Sequence, residues 1–391
     1  MMKKARSAAI LLLLLAAAAL IHNPCRAEPP AAASPKCLAA VLQPFVDHHV
    51  LAGAVILVAS KDKVLDLEAV GYADIAAKKP MRTDDLFWIA SQSKPITATA
   101  LMMLVDEGKI CVDDPVEKYL PEFKGQMVIA EQDQNHVLLK RPKHPITIKN
   151  VLSHTSGLRA ISPLERPTLD LLPLRAAVES YAMLPLLFEP DSKYQYSNAG
   201  INTAGRIIEV ASGMPYEQFL DKRLFGPLGM KDTTFWPNAE QLKRLAKSYK
   251  PSADKKGLEE TTISQLKYPL DDRGRQPMPA GGLFSTAADQ SIFYRMIAQG
   301  GVFAGRRYLS ARAVKTMTSK QTGALPTPYG FGFSTGEGKI GHGGAYSTNS
   351  SYDTEHRLIT IFLVQHAGWR SDEGKKILPA FQQAAIKAYK E

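Results

Sequence analysis

Cysteine is scarce: three in 391 residues, at Cys25, Cys37 and Cys111. They form no C-x-x-C pair, and no H-E-x-x-H helix motif occurs. A zinc ribbon, a dithiol redox centre and a zincin-type metal site therefore have no support in the sequence. His48 and His49 are neighbours, which points them apart on a helix rather than toward one ion. Cys37 and Cys111 remain open as a disulfide or as two buried thiols, because sequence alone cannot place them within bridging distance. No apolar run of membrane-spanning length occurs beyond the first 21 residues. A compact basic stripe with aromatic partners is also missing. The densest basic stretch, Lys140-Arg141-Pro142-Lys143-His144, reads as a solvated loop, which argues against a nucleic-acid partner. Nor does any internal repeat appear.

The first 27 residues read as a targeting segment. Lys3, Lys4 and Arg6 precede an apolar run from Ala8 to Ile21, and Cys25-Arg26-Ala27 has small residues at the positions a signal peptidase reads. The run is short for a membrane anchor. Asn23 and Pro24 are poor residues ahead of a lipidated Cys25. The expectation is a cleaved signal over 1–27, a flexible Pro/Ala-rich leader over 28–36, and one domain over 37–391, exported to a periplasmic or extracellular space. Loss of the signal removes four basic and no acidic residues, so the formal charge falls from +10 to +6.

Within the mature chain the apolar content, 45% of the whole sequence, suffices for a large core. Amphipathic spacing predicts a helix from Cys37 to His49. Ala52–Ser60 and Val64–Gly71, joined by Lys61-Asp62-Lys63, read as a β-hairpin. Helices are expected over Thr97–Glu107, Ile148–His154 (closed by Gly157), Asn198–Ser212, Pro215–Leu224, Thr286–Gln299 and Ala311–Gln321. Strand signals return at Gly330–Phe333, Ser347–Asp353 and Leu358–Gln365, and a last helix runs from Gly374 to Lys390. Residues 112–146 and 159–190 show no readable motif. Strands at both ends with helices between predict an α+β fold, an α/β sandwich. Its antiparallel sheet would be built from both chain ends, with flanking helices and a large helical insertion.

Three separated segments carry the chemistry. In Ser91-Gln92-Ser93-Lys94, a helix would set Lys94 one turn after Ser91 on the same face. An amine there can take the hydroxyl proton if burial keeps it neutral. In Tyr196-Ser197-Asn198, alternate residues of an extended loop can enter one cleft, the phenol for proton transfer and the amide for binding. In His342-Gly343-Gly344-Ala345, the glycines admit substrate close to the backbone, and the Ala345 amide together with that of Ser91 would form an oxyanion hole. Ser93 is a further candidate for the cleft.

These three segments, in this order, resemble the triplet of serine β-lactamases and penicillin-binding proteins: Ser-x-x-Lys, then Tyr-x-Asn, then a basic or polar residue with glycine on a late strand. Tyr in the second motif looks like class C β-lactamases and their relatives: D-aminopeptidases, DD-carboxypeptidases, β-lactamase-like carboxylesterases and 6-aminohexanoate-dimer hydrolase. Further matching stretches are Val151–Leu158, Leu224–Met230 and Ala280–Ala287, so the likeness runs from about residue 37 to the end. The resemblance implies the β-lactamase/transpeptidase-like fold and an acyl-enzyme on Ser91. Lys94 and Tyr196 would share the proton transfers, Asn198 would orient substrate, and His342, Gly343, Gly344 and Ala345 would bind it. No metal or organic cofactor is implied. The partner would be a small-molecule or peptide substrate such as a cell-wall peptide. His342 departs from the lysine usual in β-lactamases, and histidine is only partly charged near neutrality. The expected function is an exported serine hydrolase of esters, D-amino-acid amides or peptides, or β-lactams. The alternative is a non-hydrolytic penicillin- or peptidoglycan-binding protein of the same fold.

One rival nucleophile needs weighing. Gly332-Phe333-Ser334-Thr335-Gly336 fits G-x-S-x-G, but that motif requires a following helix, and Gly338, Gly341, Gly343 and Gly344 come next. Ser156, two residues from His154, faces elsewhere on a helix and makes no dyad.

Overall fold

The computed structural model describes residues 37–391 apart from 255, 256, 370, 390 and 391. The expected signal and leader, 1–36, lie outside the described residues.

The run Gly53-Ala-Val-Ile-Leu-Val-Ala59 is buried along its whole length, which suits a strand covered on both faces. It pairs antiparallel with Val64–Asp74 on one side and with Leu358–Leu363 on the other. An early strand and the last strand of the described residues thus meet at the centre of one six-stranded antiparallel sheet. Its order is Lys339–Gly343, Asn349–Asp353, Leu358–Leu363, Gly53–Ala59, Val64–Asp74, Lys79–Pro80. Register fixes which residues face which side: Val55 opposes Leu363 and Leu57 opposes Ile361. Val55, Leu57, Ala59, Ile359, Ile361 and Leu363 enter the larger core, with helix Ser93–Asp106 and most of the helical insertion. Ala54, Ile56, Val58, Leu358 and Phe362 enter a smaller core, covered by helices Ala39–Asp47 and Ile377–Tyr389. This is the α/β sandwich read from the sequence.

Local signals set the ends of the insertion's helices. Thr147 and Asn150 form a reciprocal capping box for Ile148–Ser153. Ser197 caps Asn198–Ser212, which Gly213 ends in the left-handed conformation. Helix Ser93–Asp106 is buried from Ser93 to Leu104, the pattern of a helix enclosed on all sides.

Several expectations are corrected. Gly330–Phe333 is a tight turn, because Gly332 has φ +71° and a Cβ there would lie 2.5 Å from the Lys94 carbonyl oxygen. The strand instead comes later, at Lys339–Gly343. His154, with φ +62°, closes the Ile148–Ser153 helix rather than Gly157. Residues 112–146 hold a hairpin, Val128–Gln132 with Val137–Lys140, and residues 159–190 hold helix Leu174–Ala182. Tyr216–Leu220 runs on into a π-turn at Asp221–Phe225. Cys37 and Cys111 are free and exposed, neither a disulfide nor buried. No helix among the described residues is long and apolar enough to cross a membrane.

Candidate active site

Ser91 lies in a 3-10 turn, Ala90–Gln92, that leads directly into helix Ser93–Asp106. Ala90 before it holds φ +48°, a left-handed conformation uncommon for a residue with a Cβ. Lys94 follows one turn later and is completely buried. Its Nζ lies 3.1 Å from Ser91 Oγ, 2.9 Å from Asn198 Oδ1 and 2.6 Å from the Ala280 carbonyl oxygen. Burial holds its ammonium well below the usual lysine range. Asn198 Oδ1 and the Ala280 carbonyl only accept. A neutral amine gives them its two N–H groups and turns its lone pair to the Ser91 hydroxyl.

The Ala280 carbonyl is a partner that sequence reasoning missed, since a backbone acceptor leaves no residue signature. The fold fixes it from several directions. The Ala280 amide donates to Asn202 Oδ1 at 3.0 Å, Thr97 Oγ1 donates to the Pro279 carbonyl at 2.8 Å, and Trp88 Nε1 donates to the Gly281 carbonyl at 2.7 Å. Gly205 makes this approach possible, because a Cβ on it would fall 2.2 Å from Pro279 Cγ.

Tyr196 flanks the same hydroxyl. Lys94 Nζ sits 4.6 Å from its ring centroid. Burial drives its phenol well above the ordinary tyrosine range, opposed in part by a hydrogen bond with Ser91. The ring remains partly open to solvent, as a group that meets substrate must be. Asn198, the first residue of its helix, holds Lys94 directly.

The third segment closes the cleft. The His342 and Tyr196 ring centroids are 6.0 Å apart. His342 Nδ1 lies 2.6 Å from the Gly343 carbonyl oxygen, which can only accept, so Nδ1 carries the proton. His342 Nε2 then accepts from the Tyr329 hydroxyl at 3.1 Å. Burial, and secondarily the Lys94 charge, push His342 down to about 3, so it stays neutral through the ordinary pH range. Tyr329 is a second residue the sequence did not reveal. Gly344 packs against the turn that carries Ser91, for a Cβ on it would lie 2.6 Å from the Ile89 carbonyl oxygen and 3.4 Å from Ala90 Cβ. Gly343 has no such neighbour, its nearest contact being 3.6 Å. Ala345 is exposed in the turn that follows, and among the described residues its amide donates to no protein acceptor.

Ser91, Lys94, Tyr196, Asn198 and His342 thus share one cleft, with Gly343, Gly344 and Ala345 on its rim. Ser93 does not face it. Its hydroxyl donates to the Ala90 carbonyl and accepts from the Leu283 amide, holding the turn in place. Ser334 has its amide paired to the Gly341 carbonyl, and a strand rather than the helix that a nucleophile elbow requires follows it. Ser156 Oγ accepts from the Leu158 amide and makes no dyad with His154. Among the described residues no group of three or more His, Cys, Asp or Glu is placed to hold a metal ion.

A fold of this topology, with such a cleft between sheet and helical insertion, defines a β-lactamase-type protein. The Beta-lactamase family model matches residues 38–384, and the chain belongs to that family. Protein Rv1367c of Mycobacterium tuberculosis (strain ATCC 25618 / H37Rv) is 32% identical over 371 residues, covering 84% of this chain and 89% of that protein. Esterase EstB of Burkholderia gladioli is 35% identical over 217 residues, 52% of each chain. Among solved structures, EstCE1, "a hydrolase with promiscuous acyltransferase activity", superposes with a TM-score of 0.74 at 25% identity, covering 89% of this chain and 97% of that one.

Proposed function

We propose that this protein is an exported serine hydrolase that forms an acyl-enzyme on Ser91 and prefers carboxylic esters. The observation that carries the reading is the buried Lys94 amine, 3.1 Å from the Ser91 hydroxyl and held by two pure acceptors. Lys94 takes the proton as Ser91 Oγ attacks the carbonyl carbon. The oxyanion is received by the amides of Ser91 and Ala345. Tyr196, kept protonated by its raised pKa, gives its proton to the departing alkoxide and recovers one from Lys94. Water then attacks the acyl group by the reverse of the same transfers, releasing acid and freeing Ser91.

The preference for esters follows from the charge of the cleft. His342 is neutral, and its Nδ1 proton is committed to the Gly343 carbonyl. It offers no cation to the carboxylate of a β-lactam or of a peptide C-terminus. The likeness to Esterase EstB supports the same direction. The signal-like first 27 residues support export.

The test is a panel of p-nitrophenyl butyrate, a D-Ala-D-Ala peptide and a chromogenic cephalosporin, with wild type and Ser91→Ala. The ester is expected to have the highest kcat/KM and Ser91→Ala to lose all turnover. Preference for the cephalosporin would overturn the substrate assignment. A stable cephalosporin adduct with no turnover of any substrate would indicate a binding protein instead.

A further inference from the structure

We infer that His154 is a positioning residue that clamps the Tyr196 loop from both sides, through an unprotonated Nδ1 and its own carbonyl. The inference rests on the role proposed for Tyr196.

The residues on either side of Tyr196 both hang on His154. The Gln195 amide donates to the His154 carbonyl at 2.9 Å, and the Ser197 amide donates to His154 Nδ1 at 3.2 Å. Between these two bonds the Tyr196 ring lies against the imidazole, centroids 4.6 Å apart. Tyr194 and Tyr329 complete the enclosure, with centroids 5.9 and 4.7 Å from the same ring. The clamp depends on an unusual backbone. Only the left-handed conformation at His154, φ +62°, ends the Ile148–Ser153 helix and turns carbonyl and ring together toward residues 195–197. Such a conformation in a side chain this large persists where its surroundings hold it.

The neighbouring residues hold the loop to the same foundation. Asn150 Nδ2 donates to Asp191 Oδ1 at 2.7 Å, and the Asp191 amide donates to the Thr155 carbonyl at 2.9 Å. The Val151–Leu158 stretch therefore forms the seat on which the proton-transferring tyrosine is mounted. His154 is 1% exposed, and protonation of Nδ1 would remove the acceptor that Ser197 uses. Burial, with the Lys94 charge second, keeps the ring neutral.

Two substitutions separate the acceptor from the ring. In His154→Asn, Oδ1 stands near the position of Nδ1, and asparagine tolerates positive φ. In His154→Phe, the ring stays but the acceptor is gone. Ester kinetics, melting temperature and Ser91→Ala would be measured together. The Asn variant is expected to keep kcat within about fivefold of wild type. The Phe variant is expected to lose roughly 100-fold in kcat with KM changed less than about threefold, as misplacement of a reacting group by ~1 Å does. If the Phe variant does not fold, His154→Ala replaces it with the same expectation. Wild-type kcat without the acceptor, or an Asn variant no better than Phe, would overturn the inference. Loss in Ser91→Ala with no loss in the His154 variants would sink this inference alone. Turnover surviving in Ser91→Ala would sink the functional reading beneath it.

Discussion

Two adjacent glycines of the third segment are expected to respond differently to one added methyl group, one with damage and the other with little change. A Cβ on Gly344 would lie 2.2 Å from Thr348 Oγ1 and 2.6 Å from the Ile89 carbonyl oxygen. The threonine side chain can rotate, but the Ile89 carbonyl is main chain two residues before Ser91. To accept the methyl, either the His342–Ala345 segment or the nucleophile turn must move by several tenths of an ångström to ~1 Å, given ordinary carbon–oxygen contact. Over-packing of this kind costs about 1–3 kcal/mol. A shift of ~1 Å between reacting groups costs roughly 100-fold in rate. Gly344→Ala should therefore lower the unfolding free energy by about 1–3 kcal/mol and reduce kcat about 100-fold. Gly343→Ala meets nothing closer than 3.6 Å, so its stability should stay within about 0.5 kcal/mol of wild type. Urea denaturation and ester kinetics on both variants give the two readouts. An active, fully stable Gly344→Ala, or equal damage from Gly343→Ala, would refute the packing argument.

Three further outcomes are expected. A base must be unprotonated to act, and burial lowers the Lys94 pKa, so kcat/KM should rise with pH and reach its plateau well below the lysine range near 10.5. Lys94→Arg, which cannot deprotonate, and Tyr196→Phe should each lose roughly 10²–10⁴ in kcat, and a pH profile that climbs only near 10.5 would contradict the assignment. His342→Lys should raise cephalosporin kcat/KM relative to ester by roughly tenfold, the value of one charge-assisted hydrogen bond, and an unchanged ratio would remove His342 from substrate selection. Asp170→Asn should destabilise the fold by about 3–5 kcal/mol, because it leaves the buried Arg275 without its counter-charge 2.7 Å away, and denaturant unfolding at wild-type stability would contradict that.

Much of this architecture could be read from the residues. The apolar run Gly53–Ala59 and the hairpin after it were plain because a strand covered on both faces needs an uninterrupted apolar sequence. The three segments of the candidate site were legible because the chemistry proposed for them needs particular side chains in a particular order. What failed has physical causes. Residues 131–140 of the Val128–Lys140 hairpin are all exposed, so no face of it alternates with burial. The edge strand Lys339–Gly343 has glycine at 341 and 343, which reads as a turn. Gly341 is there because a Cβ would lie 2.3 Å from the Ser350 carbonyl oxygen on the paired strand. Gly330–Phe333 alternates like a strand, yet Gly332 serves close packing on the Lys94 backbone. The Ala280 carbonyl and the His154 ring act through tertiary contacts alone. His154 could be read as a helix end, but nothing in its neighbourhood in sequence announces the tyrosine loop it holds.

The most direct measurement is intact mass and peptide mapping after treatment with a fluorophosphonate. One adduct per chain, located on Ser91 and absent in Ser91→Ala, is the predicted result. An adduct on Ser334 or another residue, or undiminished labelling of Ser91→Ala, would contradict the account.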